Sequence, residues 1–420
     1  MQLLLENIGQ LVQVEEYPAP WVSGKNMAQC RIIPDAFLLI RDEVIADFGP
    51  MKEMGRILLN DNTLVEMDCS ERLVLPAWCD SHTHIVYAGS REMEFVGRIK
   101  GLTYRQIADA GGGILNSAAL LHETSEEDLY RQAVPRVKEM IRHGTGAMEI
   151  KSGYGLNTED ELKMLRVIRR LQQSLPVCIR ATFLGAHAVP ERFRGNSRAY
   201  VNEIIYEMIP MVAAEELADF IDVFCEEGYF SVEDTDRILM AGMKHGLRPK
   251  IHANEMAFSG GVQVGVKYNA LSVDHLEYLG EEEIAALMGS ETMPAILPGA
   301  SFFLGMPYAP ARRLIDAGLP VALATDFNPG SSPSGNMPLI GSFACLKQKL
   351  LPAEVVNAMT INGAYAMGIS DRLGSIARGK IANLFITRKM PGVDYLFYSY
   401  GSNPVDVVIL NGEINPVTED

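Results

Sequence analysis

Two histidines, His82 and His84, sit one residue apart in the stretch LPAWCDSHTHIVYAGSRE, directly after an apolar run, in a chain with only 8 histidines among 420 residues. If that run is a β-strand, residues two apart point the same way, so the two imidazoles leave one strand end together. That is a metal-ligand geometry. On its own, His-x-His is as often a pair of ordinary loop residues. Three further runs end in metal-capable side chains: His252 in IHANE, His275 in VDHLE and Asp326 in LATDF. Such groups gathered at one face would hold a metal ion, and a metal ion makes hydroxide available from bound water near neutral pH.

The elements that must bring these residues together follow a repeating pattern. Eight short apolar segments alternate with amphipathic helices: RLVLPAWCDSHTH, GTGAMEIKSGYG, VCIRATFLGAHAVP, DFIDVFCEEG, LRPKIHANE, ALSVDHLEY, MPAILPGAS and PVALATDFNPG. Alternation of this kind predicts parallel β/α units, and eight of them predict an α/β fold, a (β/α)8 TIM barrel with its site at the C-terminal strand ends. In TEDELKMLRVIRRLQQS, Thr158 and Glu161 have capping-box spacing, and Leu162, Leu165, Ile168 and Leu171 form a helical stripe. Pro135 predicts a kink in the helix before it. QLLLENIGQLVQV and DAFLLIRDEVIADFG near the start, and GSIARGKIANLFIT and PVDVVILNGEI near the end, alternate as strands do. They predict a small β-sandwich-like domain built from both chain ends. The expected boundaries are residues 1–73 and 373–420 for that domain and 74–372 for the barrel.

Composition narrows the partners. A formal charge of -16 speaks against nucleic acid or an anionic membrane surface. The six cysteines, Cys30, Cys69, Cys79, Cys178, Cys225 and Cys345, form no Cys-x-x-Cys pair and read as reduced thiols of a cytoplasmic protein. MQLLLENIGQ does not look like a signal peptide, and no apolar run is long enough to span a bilayer.

The pattern of His-x-His after strand one, His after strands five and six and Asp after strand eight resembles the amidohydrolase superfamily. Longer stretches, including LTYRQIADAGGGILNS, GTGAMEIKSGYGLNTEDELKMLRVI, TFLGAHAVP, IHANEMAFSGG and LATDFNPGSSPSGNMPL, are similar to the imidazolonepropionase family over nearly the whole chain. That resemblance implies hydrolysis of the ring amide of 4-imidazolone-5-propanoate to N-formimidoyl-L-glutamate, in histidine degradation, and a homodimer. It also implies one divalent ion per chain, Zn or Fe, with His82, His84, His252 and Asp326 as ligands and His275 beside the metal. Binuclear relatives add a bridging Lys or Glu after strand four; here that strand ends in FCEEG, without lysine, and Glu226 or Glu227 could take the place.

A propionate calls for a planar guanidinium, and Arg91 lies just past the first strand. Carried over by resemblance, the substrate shell is Arg91, Tyr104, Tyr154, His187, Glu255, Asn328, Gly330 and Ser331, with His187 donating to a ring carbonyl. Glu255, three residues after His252, is suited to relay a proton to the leaving nitrogen. Glu255, His275 and Asp326 all remain candidates for the first proton acceptor. Gly111 to Gly113 read as a flexible loop over the barrel mouth, in the place of a lid. Two other enzymes of the superfamily compete: a purine or pyrimidine deaminase, which shares the His-x-x-Glu spacing but has no need of Arg91, and a dihydroorotase-like cyclic amidase, which would want an arginine where Val86 stands. A non-catalytic barrel acting as an interaction protein would have lost ligands, and none is missing.

Overall fold

A computed structural model describes residues 2–56, 64–102, 106 and 112–416. The larger sheet contains β6 (Trp78–Thr83), β7 (Thr145–Lys151), β8 (Cys178–Ala186), β9 (Phe220–Cys225), the short β10 (Arg248–Pro249) and β11 (Ile251–Ala253), β12 (Ser272–His275), β13 (Met293–Ile296) and β14 (Ala322–Leu323). Every pairing is parallel and the strands run in sequence order, with β10 and β11 together filling the fifth place. Closure comes from the segments that carry the chemistry. Thr83 bridges Phe327 in parallel. The backbone N–H of His84 donates to the Phe327 carbonyl at 2.9 Å, and that of Asp326 to the His82 carbonyl at 3.0 Å. This is the expected (β/α)8 barrel.

Helices cover the outside and layered side chains fill the inside, so β6 to β9 are buried almost throughout. The helix Thr158–Ser174 departs from the expected capping box. Its N-cap is Asn157, whose side chain accepts the Asp160 N–H. Glu161 turns away instead and accepts the N–H groups of Gly153, Gly155 and Leu156 at 3.1, 2.8 and 3.0 Å. A buried carboxylate with three backbone donors outcompetes a cap, because those donors would otherwise be unpaired. Pro135 lies inside one continuous helix, Glu126–Arg142, capped by Ser125.

The second sheet joins both ends of the chain. β1 (Gln2–Val12), β2 (Ile32–Arg41), β3 (Val44–Pro50), β4 (Leu64–Asp68) and β5 (Leu73–Pro76) combine with β15 (Leu384–Thr387), β16 (Val405–Leu410) and β17 (Glu413–Pro416) in one mixed sheet. β1 pairs with β4 along its first half and β5 along its second. Leu3, Leu5, Ile8, Leu38, Ile40, Leu384, Ile386 and Ile409 pack together on one face. The run RLVLPAWCDSHTH is therefore two strands: β5 pairs in the small sheet and β6 in the barrel, with Ala77 between them. Trp78, the first barrel residue, packs against Phe385 of β15 with the rings tilted and their centres 4.6 Å apart, which ties the barrel floor to the small sheet. Among the described residues no helix is long and apolar enough to cross a membrane.

Candidate active site

At the C-terminal strand ends four ligand-type atoms converge. His82 Nε2 lies 3.2 Å from His84 Nε2, and His252 Nε2 lies 3.4 Å from the same atom. Asp326 Oδ1 is 3.5 Å from His82 Nε2 and 3.7 Å from His84 Nε2. All four residues are buried. His82 Nδ1 contacts Asp274 Oδ2 at 2.6 Å; an ionised carboxylate only accepts, so Nδ1 carries the proton and Nε2 presents a lone pair. Asp222 Oδ2 lies 3.0 Å from His252 Nδ1, beside it without full alignment, and Asp222 Oδ1 accepts the His252 backbone N–H at 3.1 Å. Ring nitrogens and a carboxylate oxygen this close together would suit a cation held between them. With Zn–N bonds of about 2.0–2.1 Å, a tetrahedral shell sets its ligand atoms about 3.3 Å apart. The residues present therefore fit a divalent ion. His82, His275 and Asp326 form a second, overlapping group with atoms close enough to share one.

Electrostatics favour the neutral form of His82 and His84. Burial, then Lys151 and the neighbouring histidines, holds the His82 pKa well below its ordinary value; burial, His187 and His252 do the same for His84. Neutral imidazole is the ligating form. Burial raises Asp326. Two of the strand ends at the site are also held in unusual conformations: His275 has φ +88° and Asp326 φ +54°. Non-glycine residues in the left-handed region cost of order 1–3 kcal/mol. Asp326 is secured by Asp80, which accepts the N–H and hydroxyl of the preceding Thr325 at 3.0 and 2.6 Å.

On the other side of the cluster, His275 faces two carboxylates, Glu255 at 3.6 Å from Nε2 and Glu277 at 3.6 Å from Nδ1. Burial alone would depress His275, but Glu255 and Glu277 outweigh it and raise it to about 10. Burial, opposed by His275, pushes Glu255 up to about 7. Glu226 is not aimed at the ligands. Its Oε2 accepts the N–H groups of Glu255 and Met256 at 2.9 and 3.1 Å, and Glu227 is exposed. Neither joins a metal-capable group among the described residues. Glu226 instead holds the loop that carries Glu255.

A cavity of about 480 Å³ opens over the cluster and is lined by Arg91, Tyr154, His187, Glu255, His275 and Asp326, with Asn328, Gly330 and Ser331 on one wall. Arg91 donates to Glu94 at 2.7 Å and packs against the open face of Gly330. His187 stacks on His84 at 5.2 Å, and its Nδ1 lies 2.9 Å from the Gly153 carbonyl. Nδ1 is therefore the donor, and burial, with His252, lowers its pKa to about 3. Neutral His187 thus leaves Nε2 as the acceptor of the ring. Asn328 is occupied within its own loop: its Oδ1 accepts the N–H groups of Gly330 and Ser331, both at 2.8 Å, and its amide donates to the Asp326 carbonyl and Ser331. It shapes the wall. Tyr104 and Gly111 lie outside the described residues, and Gly113 N–H donates to Glu94 at 2.8 Å.

Comparison with known proteins agrees with this architecture. Residues 73–414 match the model of the amidohydrolase family. The chain belongs to the amidohydrolase family. It is 55% identical over 414 residues to the imidazolonepropionase of Flavobacterium johnsoniae, covering 99% of this chain and 100% of that relative. It is 40% identical to that of Clostridium tetani, covering 98% and 97%. These full-length relatives place it among the imidazolonepropionases. Guanine deaminase of E. coli shares the fold, with a TM-score of 0.75 at 14% identity over 99% of both chains. A triazine hydrolase variant does so with a TM-score of 0.75 at 15% identity, over 100% of this chain and 96% of that one.

Several residues of the site escaped the sequence reading. Asp222 in FIDVF and Asp274 in VDH support His252 and His82. Their signal was a carboxylate inside an otherwise apolar strand. Arg98 lines the cavity and donates to the Gly330 carbonyl at 3.0 Å. It lies seven residues past Arg91 on the helix Glu92–Ile99, two turns on and hence on the same side.

Proposed function

We propose that this chain hydrolyses the ring amide of 4-imidazolone-5-propanoate to N-formimidoyl-L-glutamate, with one divalent ion, Zn or Fe, held by His82, His84, His252 and Asp326. The carrying observation is the convergence of three imidazole nitrogens and one carboxylate oxygen at 3.2–3.7 Å, under a cavity with an arginine on its wall. When bound, the ion supplies a Lewis acid and a water whose pKa falls to about 7. The remaining work belongs to the chain. Arg91 pairs with the propionate and fixes the ring's orientation. His187 accepts a ring N–H. Water adds to the ring carbonyl carbon while its proton passes to the carboxylate–imidazole group of Glu255, His275 and Asp326. Glu255 carries a proton to the departing ring nitrogen, the carbon–nitrogen bond breaks, and the former carbonyl becomes the α-carboxylate of the product.

The same reading takes the chain to be a cytoplasmic homodimer acting on this small molecule, without a nucleic-acid or membrane partner. The charge of -16 supports the last part. Light scattering on the purified protein tests the dimer. The activity is tested by adding purified protein to the imidazolone and following its ultraviolet absorbance and the formimidoyl product. Loss of absorbance with stoichiometric product is expected. No loss with metal bound, together with turnover of a purine or pyrimidine, would give the deaminase reading the field.

A further inference from the structure

Beneath the converging histidines lies a closed group of five charges: Glu149 and Lys151 on β7, Asp222 on β9, Lys250 just before β11, and Asp274 on β12. Their side chains have 0% exposure, and none lines the cavity. Lys151 Nζ is the hub. It lies 2.6 Å from Glu149, 2.8 Å from Asp222 and 3.6 Å from Asp274. The two aspartates in turn face the Nδ1 atoms of His252 and His82. Lys250 pairs with the other oxygen of Glu149 and also donates to the carbonyls of Ser81 at 3.2 Å and Ala366 at 3.1 Å. The strand that carries His82 is therefore tied to the same group.

We propose that Lys151 is a positioning residue: by holding Asp222 and Asp274 at once, it sets the ring orientation and tautomer of His252 and His82 and so determines metal affinity. The proposal rests on the reading of those histidines as ligands. A lysine ammonium offers three donors from one point, and here three carboxylates from three strands surround it. Burying such charges is tolerable only when each is paired, and removing one partner leaves the others to rearrange. Asp274 can present an oxygen to His82 Nδ1 only while something else holds that carboxylate in place; its other oxygen accepts from Ser272 at 2.5 Å, which fixes one end alone. The partner of a metal-ligating imidazole fixes both tautomer and ring plane.

A rival role gives the opposite sign. If Lys151 merely neutralised charge, removing it would take a cation away from beneath the ion. Affinity would then stay the same or tighten.

The test uses the full chain with Lys151→Met and Lys151→Arg. Zinc affinity is read by competition with a chromogenic chelator, and the His82 ring nitrogens by ¹⁵N NMR of metal-free protein. Lys151→Met should weaken zinc binding by about 10–100-fold and broaden or double the His82 signals, with a native circular-dichroism spectrum. Lys151→Arg keeps the charge but spreads its donors over a planar fork, and it too should lose affinity. Unchanged or tighter zinc binding in a folded Lys151→Met protein would overturn the proposal. Should that variant fail to fold, unchanged affinity in Lys151→Arg would do the same. His82→Ala separates the two levels of argument: if it binds zinc as the wild type does, the ligand reading has failed rather than the role of the lysine.

Discussion

A methyl group at residue 330 would report on Arg91 without touching it chemically. The Cβ of a Gly330→Ala variant would lie 2.1 Å from Arg91 Nη1 and 2.5 Å from its Cζ, separations that no atom pair sustains. Gly330 is not among the positive-φ glycines, so alanine brings no backbone strain, and the obstructing atoms are the far end of a flexible side chain. Arg91 must therefore move, and it must give up its place on the cavity wall and its 2.7 Å contact with Glu94. A hydrogen bond to a charged group contributes ~1.5–3 kcal/mol. At 1.4 kcal/mol per decade, loss of the propionate contact should raise KM roughly 10–150-fold. Arg91→Met removes the guanidinium altogether and should raise KM by roughly 10–10³-fold, with lost orientation added.

Steady-state kinetics on the imidazolone measure both, with metal content and melting temperature as controls. Both controls should stay near wild type. The double variant is the decisive one. If Gly330→Ala acts by displacing Arg91, it should add almost nothing in the Arg91→Met background, because the two changes remove one interaction. Wild-type KM for Gly330→Ala would refute the packing argument. Fully additive effects would show that Gly330 acts through its own backbone, and the pairing of Arg91 with the propionate would lose its support.

Four further outcomes are expected. Glu255→Gln should keep metal and substrate affinity while losing about 10²–10⁴-fold in kcat; near-normal turnover would demote Glu255 to support for its loop. Stripping the metal should leave the circular-dichroism spectrum of the barrel in place but lower the melting temperature, since an ion at about 1,000 times its Kd adds roughly 4 kcal/mol to stability; identical melting with and without metal would argue against a bound ion. Glu161→Ala should destabilise by about 3 kcal/mol or more in urea unfolding, because three backbone donors lose a buried carboxylate acceptor, and a loss below about 1 kcal/mol would contradict that accounting. Burial pushes the thiols of Cys30 and Cys69 up to about 12 and Cys345 to about 11. Little thiolate therefore exists at pH 7–8, and a thiol reagent should label these cysteines quickly only after denaturation.

The barrel was legible because its information is local. Each β/α unit announces itself by an apolar run and an amphipathic stripe, and both periods can be read within a dozen residues. What escaped was the assignment of a run to a sheet. RLVLPAWCDSHTH carries one apolar pattern across two strands, and only the tertiary pairing of Leu73–Pro76 with Leu384–Thr387 divides it. The capping-box reading of Thr158 and Glu161 failed for a related reason. The spacing was right, but Glu161 had a better use in pairing three donors of the SGYGL loop. A local motif gives way wherever a non-local group would otherwise be left buried without a partner.

The same asymmetry runs through the site. His82, His84, His252, His275 and Asp326 could be singled out because metal-capable residues at strand ends are rare, and a repeating fold sends strand ends to one face. Asp274 shares β12 with His275, while Asp222 and Lys151 sit on other strands of the same barrel, and the sequence reading passed over all three as ligand supports. A lone charge in an apolar strand has no periodicity to betray its partner, and these partners stand on different strands, 71 residues apart for Lys151 and Asp222 and 192 for His82 and Asp274. There is still a usable rule in this. A β-strand of a parallel barrel is buried on both faces, so an Asp, Glu or Lys within it must be paired. β7, β9 and β12 together hold Glu149, Lys151, Asp222 and Asp274. Their opposite charges on alternate barrel strands, below strand ends rich in histidine, already imply a common ionic floor before any coordinate is known.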